Sequence, residues 1–468
     1  MTSIAYVSEA IRTILTERAT ALERPTDFVE RSSARLSGAV FAQTLVFGFL
    51  TFPQASYAQL QHVAASLGVS VSRQAVQQRF GPASVLFMRQ LLEEAVAQVI
   101  QSDGRVPELF SRFSGIYLQD GTEITLPPAR AQQYPSSGKE SGCLRVQLRL
   151  EYGQGVGLGL WLEPGGQGEN SGPAVQTPVP EGAIWETDAG YLNLSRIRQQ
   201  GETGRFWIIA PRADLAFFES NGLQSTLQEL LARQTGNWVD LQVQVGVRER
   251  LPVRLVARRL SPEQTRTAQR RAQEVVSTPP KGARRPNVHR GPLRTKSGNR
   301  DHHGDRHHAH RRTSGKRKDL LGWVIWLTNL PLTLANAEEV LVLGRCRWQS
   351  ELVWKLGKSL GKLDTWPSED PERILTEIFA KWLGLLISHW VMLVECWQDP
   401  RHSIVGAHQV MQWMAPVLGV SLAGACSVES AVERCVIAMR RGCQIQPRPK
   451  RPATFQLLQT PALLSSSP

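Results

Sequence analysis

The sequence predicts a mixed α/β chain with helical ends, and two changes of period together with one block of charge carry that prediction. Residues 1–110 are rich in Ala, Leu, Gln and Glu, as in LEEAVAQVIQ from Leu92, and their apolar residues recur every three or four positions. From about residue 113 the pattern becomes alternating or continuously apolar between Gly and Pro, which is strand patterning. Helical spacing returns after about residue 336. The charge block is Lys281–Lys318: thirteen Lys or Arg against Asp301 and Asp305 give +11, most of the formal +13 of all 468 residues.

In the helical head, SYAQLQHVAASLGVSVSRQAVQQRF (Ser56 to Phe80) has the outline of a helix-turn-helix. Ala64 allows close packing, Gly68 suits the left-handed turn, and Val63, Leu67 and Val69 face inward. Ser72 then caps a second helix displaying Arg73, Gln74, Gln77, Gln78 and Arg79, a surface suited to base edges and phosphates. An ordinary helical hairpin uses the same Gly and cap, so DNA binding and plain structure are both open here.

The strands follow as FSGIYLQD, RVQLRLEYG, VGLGLWLEP, AIWETD and RFWIIAPR, with the helical YLNLSRIRQQ between the last two. VDLQVQVGVRER and LPVRLVARRL then lead into the basic window, and LLGWVIWLTNLP leaves it. The window holds six of the ten histidines and scarcely any large apolar side chain, so it cannot offset its ordering entropy by burial. Its readings are a solvated insertion, an arm that exchanges counterions with DNA or RNA phosphates, or, more weakly, a His-rich metal tract. After it come AEEVLVLGRCRWQSELVWKLGKSL and PERILTEIFAKWLGLLISHWVMLVECW, both helical, and from Gln444 a Pro- and Ser-rich tail expected to be loose. The expected organisation is a helical DNA-binding head (1–110), the first part of an α/β core (111–212) and a β-rich insertion (213–335) containing the basic segment 281–318. The remaining core helices (336–400) and a helical C-terminal region with the loose tail (401–468) complete it.

Several classes are excluded. A hydrophobic content of 41% against 20% charged residues is not that of a wholly disordered chain. Six scattered cysteines with no C-x-x-C pair exclude a zinc ribbon or a disulfide scaffold and fit a reducing cytosol. The first residues carry Glu9 and Glu17 and show no secretory h-region. Trp382–Val394, the most apolar stretch, is interrupted by Ser388 and His389 and reads as a buried helix, so no membrane partner is expected. GQGVGLGLWLEPGGQG matches no phosphate loop and reads as a hairpin.

Three carboxylates are the candidate catalytic and metal-binding residues. Asp120 is read as ending the strand GIYLQD before Gly121, and Asp188 as ending AIWETD before Ala189 and Gly190. Glu351 lies on a helix, four residues after Arg347 and seven before Lys358. Acids at strand ends face the open edge of a sheet, and three converging ones suit hard divalent cations and phosphate chemistry. Singly, each has a plainer reading: Asp120-Gly121 as a turn, Glu351 as the partner of Arg347 or Lys355 in a helix ion pair.

RCRWQSELVWKLGK, with Arg347, Glu351 and Lys358 at R-x-x-x-E-x-x-x-x-x-x-K, resembles the Y-R-E-K signature of bacterial insertion-sequence transposases of the insertion sequence four family. LQDGTEI and ETDAGYLN resemble that family's first and second aspartate motifs, and the order Asp, Asp, β-rich insertion, Glu is also the family's. The resemblance runs from about residue 30 to about 415. It implies an RNase H-like catalytic core, Asp120, Asp188 and Glu351 as ligands of two Mg²⁺ ions (Mn²⁺ as substitute), and Arg347 and Lys358 as contacts to the DNA end. The implied partners are double-stranded DNA, as terminal inverted repeats and target, and a second copy of the chain in a homodimer. The implied setting is the bacterial cytoplasm at the nucleoid. The implied activity is strand cleavage at element ends followed by strand transfer.

One departure is clear: the signature Tyr falls at Gly344, which lacks both hydroxyl and ring. A copy that binds DNA without catalysis is therefore the competing expectation. Trp323, 28 residues before Glu351, matches the base-stacking Trp of hairpin-forming relatives. Trp323 or Trp326 packing in the core is its plainer reading.

Overall fold

The computed structural model describes residues 3–29, 35–104, 106–137, 140–166, 170–277, 320–397, 401–447 and 452–466. The basic window Lys281–Lys318 lies outside them. Two compact units are present: residues 1–210 with 328–467, and residues 211–327.

The first unit holds a five-stranded sheet in the order β3-β2-β1-β4-β5. Its strands are β1 (Ile116–Leu126), β2 (Gly142–Glu151), β3 (Val156–Pro164), β4 (Ile184–Thr187) and β5 (Phe206–Ile209). β1, β2 and β3 form an antiparallel meander, and the glycine-rich stretch supplies its second hairpin, with Gly155 at φ +74° in the turn. β4 runs parallel to both β1 and β5. All four residues of β4 are buried, Glu186 and Thr187 among them, so AIWETD shows no alternation of buried and exposed positions. Helix Leu194–Glu202 connects β4 to β5, started by the Asn193 side chain accepting from Arg196 N–H at 3.0 Å.

β1 does not stop at Asp120. It continues to Leu126 because β2 pairs with it from Tyr117 through Leu126, whereas its parallel pairing with β4 covers only Ile116–Leu118. Asp120 thus sits within a strand, at the point where one neighbour ends.

Around helix Pro371–Glu395 the apolar faces of the head helices Gly38–Thr51 and Pro82–Val96 and the C-terminal helices Ile404–Leu422 and Val428–Gly442 share one core. Phe41, Phe47, Phe87, Phe379 and Trp390 are among its fully buried side chains. The central helix covers the segment its sequence predicts, from Pro371 almost to Trp397. Asp370 caps it, and Arg373, Glu377 and Lys381 lie buried along one side at i, i+4 and i+8. It is long and apolar enough to cross a membrane, yet here 78% of its apolar window is buried within the protein.

The helix-turn-helix outline takes the local form its residues specify. Ser56 and Gln59 make a reciprocal cap on helix Tyr57–Ser66, Gly68 has φ +81°, and Ser72 caps helix Arg73–Gln77. The tail is a correction. Short helix Thr454–Gln459 forms where a loose segment was expected, because Leu457 is fully buried and Pro452 O accepts from Arg345 Nη2 at 3.0 Å.

The second unit orders its strands β10-β9-β8-β6-β7: β6 (Ala216–Phe218), β7 (Gln224–Thr226), β8 (Trp238–Val245), β9 (Leu251–Arg259) and β10 (Trp323–Thr328). β8 and β9 pair as a hairpin along their length, pinned by Arg254 donating twice to Asp240 at 2.7 Å. Helix Pro262–Ser277 follows β9.

One polar group in the first unit's core is unprovided for. His408, 1% exposed, faces an apolar hollow lined by Leu148, Leu160, Trp382 and Met392, and neither ring nitrogen has a partner among the described residues. Burial pulls its pKa down to about 4. The unfolded ring therefore binds a proton that the folded one refuses between about pH 6.5 and 4. Stability is complete above that window and falls as pH drops through it, by up to roughly 3 kcal/mol. His408→Leu is expected to raise the melting temperature at pH 7 and to flatten its decline between pH 6.5 and 4, as differential scanning calorimetry can measure.

Candidate carboxylate site

Strand register brings two of the three acids together. In the parallel pair Leu118 of β1 stands beside Glu186 of β4, so two residues further along each chain Asp120 and Asp188 share one side of the sheet at its carboxyl edge. This edge is where the strand order reverses, β1 leading to β2 on one side and β4 lying on the other. Asp188 Oδ1 accepts from Gly190 N–H at 2.8 Å and Asp120 Oδ1 from Gly121 N–H at 2.8 Å. A side chain at position 121 would have its Cβ 3.0 Å from the Tyr191 hydroxyl, so only glycine fits there without displacement.

Glu351 arrives from the helical half of the unit. Helices Ala337–Cys346 and Trp348–Lys355 are separated by the single residue Arg347. Ser350, one residue before Glu351, donates to Asp120 Oδ2 at 3.1 Å and so docks the second helix on β1. The Arg347 guanidinium pairs with Glu351, the helix ion pair foreseen as the plainer reading, and its other nitrogen lies 3.8 Å from Asp120 Oδ2. One cation therefore stands between two of the acids. Among the described residues no three metal-binding side chains stand close enough together to hold an ion.

Burial pushes the Asp120 carboxyl above its usual range, against the opposing pull of the Gly121 N–H, Arg347 and Ser350. Glu186, fully buried below the same face, is pushed well above its usual range by burial. Glu186 and Ser350 belong to the site but escaped the sequence reading. Glu186 is followed within two residues by a more conspicuous acid, and a lone Ser in a helix carries no signal.

The other expected contacts divide. Lys358 sits in a π-helical turn, Leu356–Leu360, and its Nζ donates to Glu123 O at 3.0 Å on the outer part of β1. Arg73 is exposed on its short helix. Arg79 is not a free surface cation. It donates to Phe28 O and Leu36 O at 3.0 and 3.1 Å and lies over the Phe28 ring, so it braces the head. Trp323, in the second unit, is part-exposed with the Arg259 guanidinium 4.5 Å from its ring centre. Together with Arg266 it lines an open hollow, while Trp326 is 8% exposed.

Residues 112–387 match the family model for the transposase DDE domain. The chain is similar to the transposase for insertion sequence element IS231F of Bacillus thuringiensis subsp. israelensis, 23% identical over 405 residues, 82% of this chain and 78% of that one. The transposase for IS231E of Bacillus thuringiensis subsp. finitimus is 21% identical over 345 residues, 69% of this chain and 66% of that one.

Because Asp120 is raised by burial, its ionised form opposes folding at neutral pH. The contribution of the acid is favourable below its unfolded pKa and is lost as pH rises through the folded one. Asp120→Asn is therefore expected to raise the melting temperature at pH 7 by on the order of a degree. The gain should vanish near pH 3, where both states of the wild-type acid are protonated. A thermal-melt series against pH checks both the sign and the window.

Proposed function

We propose, from the premise that this chain belongs to the DDE transposases of bacterial insertion sequences, that it cuts DNA at the ends of its element and joins those ends to target DNA. The observation that carries the reading is the placement of Asp120 and Asp188 just beyond the last parallel pair of β1 and β4, near enough for their charges to act on each other, with the Glu351 helix docked on β1 through Ser350. The strand order β3-β2-β1-β4-β5, with β1, β4 and β5 parallel, supports an RNase H-like core.

The donor set is entirely carboxylate, which suits a hard divalent cation: Mg²⁺, with Mn²⁺ as substitute. Asp120, Asp188 and Glu351 would hold two such ions, which when bound supply charge neutralisation at the reacting phosphate and an activated water. The chain's own residues account for the rest of the chemistry. Arg347 offsets the charge of Asp120 and Glu351 and, with Lys358, presents cations to a DNA phosphate. Ser350 fixes which Asp120 oxygen is turned from the open edge. Hydrolysis at each end leaves a 3′-hydroxyl, which attacks in line, first on the opposite strand to close a hairpin and finally on target DNA. Positioning and charge neutralisation suffice, with no covalent enzyme intermediate.

The head would read the element ends through Arg73 and the exposed Gln74, Gln77 and Gln78, and two copies would bridge the ends. A non-catalytic DNA-binding protein is the second reading. It is favoured by Gly344, which leaves helix Ala337–Cys346 without the signature hydroxyl, and by the three acids not closing into one metal-holding cluster among the described residues.

Asp120→Ala, Asp188→Ala and Glu351→Ala should each abolish Mg²⁺-dependent cleavage of the element's own ends while gel shifts show end binding largely retained. Cleavage by the Asp188→Ala protein would remove that residue from the site, and an inert wild type that still binds ends would establish the second reading.

The part-exposed ring of Trp323 beside Arg259 supports a place for a base unstacked as the hairpin closes. Trp323→Ala should leave folding and first-strand nicking near normal but slow hairpin closure by roughly tenfold to a hundredfold, the loss of one stacked base. A sharp drop in melting temperature for Trp323→Ala, with Trp326→Ala harmless, would instead make Trp323 a core residue.

A further inference from the structure

The break between the two helices that aim Glu351 is held by an acid outside the three motif carboxylates. In an unbroken helix the Arg347 N–H would donate to the carbonyl four residues earlier. Here it donates to Glu186 Oε1 at 3.0 Å. Arg347 keeps helical backbone angles, φ −51° and ψ −30°, so the interruption lies in the hydrogen-bond ladder, into which the Glu186 side chain is inserted. The Arg347 N–H is also directed at Arg345 O, so the Glu186 carboxylate shares it with the preceding turn.

Glu186 is well placed for this. It lies on β4 two residues before Asp188, hence on the same face, and it is fully buried. Its Oε2 has no partner among the described residues, so the contact to Arg347 is the one hydrogen bond found there for the carboxyl. The bond is costly to lose on the Glu186 side, because the freed carboxyl oxygen would stay buried away from water. Three residues past the break, Ser350 makes the second attachment, to Asp120. The first turn of the helix is thereby tied to β4, which Asp188 directly follows, by Glu186 and to β1, which carries Asp120, by Ser350.

We infer that Glu186 is a positioning residue: by capturing the Arg347 N–H it holds the helix break open and fixes the direction in which Glu351 is presented to Asp120 and Asp188. The inference rests on the carboxylate-site reading above. Glu186 acts through the Arg347 backbone, not on the reacting atoms.

The test is Mn²⁺ titration of the full-length protein by calorimetry, in the absence of DNA, for wild type, Glu186→Gln, Glu186→Asp and Glu186→Ala, with circular dichroism melts alongside. Gln keeps an acceptor at the same reach, whereas Asp keeps the acid but falls one methylene short. The expected result is Glu186→Gln within about threefold of wild type, and Glu186→Asp and Glu186→Ala weaker by about tenfold to a hundredfold, the usual effect of removing a support behind a metal ligand. Should Glu186→Ala fail to fold, the Gln and Asp proteins carry the comparison. Equal affinities throughout, or Asp matching wild type while Gln is impaired, would overturn the positioning role. Asp188→Asn is the control for the underlying site. If it weakens Mn²⁺ binding while every Glu186 variant is unchanged, the inference alone falls. If wild type binds no Mn²⁺, the carboxylate site and the inference fall together.

Discussion

The parallel pairing of β1 with β4, three residues long, sets the terms for everything around the site. It places two acids side by side at the edge of a sheet, where their charges repel and burial makes at least one of them costly to ionise. A third acid can join them only with a compensating cation nearby. Arg347 is that cation, and it occupies the junction between helices from which Glu351 projects. The shape of the helical half thus answers an electrostatic problem posed by the sheet.

A second buried charge system holds that helical half in place. Arg373, Glu377 and Lys381 lie on one side of helix Pro371–Glu395, and Lys381 pairs with Glu377 at 2.7 Å. Removing charges from water is repaid only when their remaining hydrogen-bonding groups are also satisfied. The outer members meet part of that condition by reaching backbone carbonyls of other segments, while Arg373 Nε is left with only a 3.7 Å ion-pair contact to Glu377. Arg373 donates to Ala55 O at 2.8 Å and stacks over Tyr57, while Lys381 donates to Lys362 O and Thr365 O at 2.7 and 3.1 Å. The helix therefore fastens the start of helix Tyr57–Ser66 on one side and the turn after Lys358 on the other. That is specificity of arrangement, which an all-apolar helix of the same length would not supply.

Much of this was legible in the sequence, because period, caps and turn glycines are local signals. The strands of the first sheet, the Ser56 and Ser72 caps and the Gly68 turn follow from residues a few positions apart. What was not legible depends on distant partners. Asp120 looked like the end of a strand because Gly121 follows it, yet β2 carries the strand on. Arg79 looked like a groove-facing cation until Phe28 and Leu36, more than forty residues earlier, took its donors. β6 and β7, three residues each, are too short for any periodicity to register. The proposed carboxylate trio has the same limit: order and spacing suggested it, but the neighbourhood of Asp120 and Asp188 and the Arg347 contact to Glu351 exist only in three dimensions.

The first unit is assembled from two stretches of chain, residues 1–210 and 328–467, with the other unit between them. Helix Pro371–Glu395, which fills the core of the head, lies in the later stretch. During synthesis the head helices therefore emerge long before the helix that buries their apolar faces. Native contacts of such large sequence separation close late. A chain halted anywhere before residue 351 lacks Glu351 as well as the Pro371–Glu395 helix. The proposed carboxylate trio is thus complete only once nearly the whole polypeptide has been made, and a chain halted earlier leaves the apolar faces of the head helices without the helix that covers them.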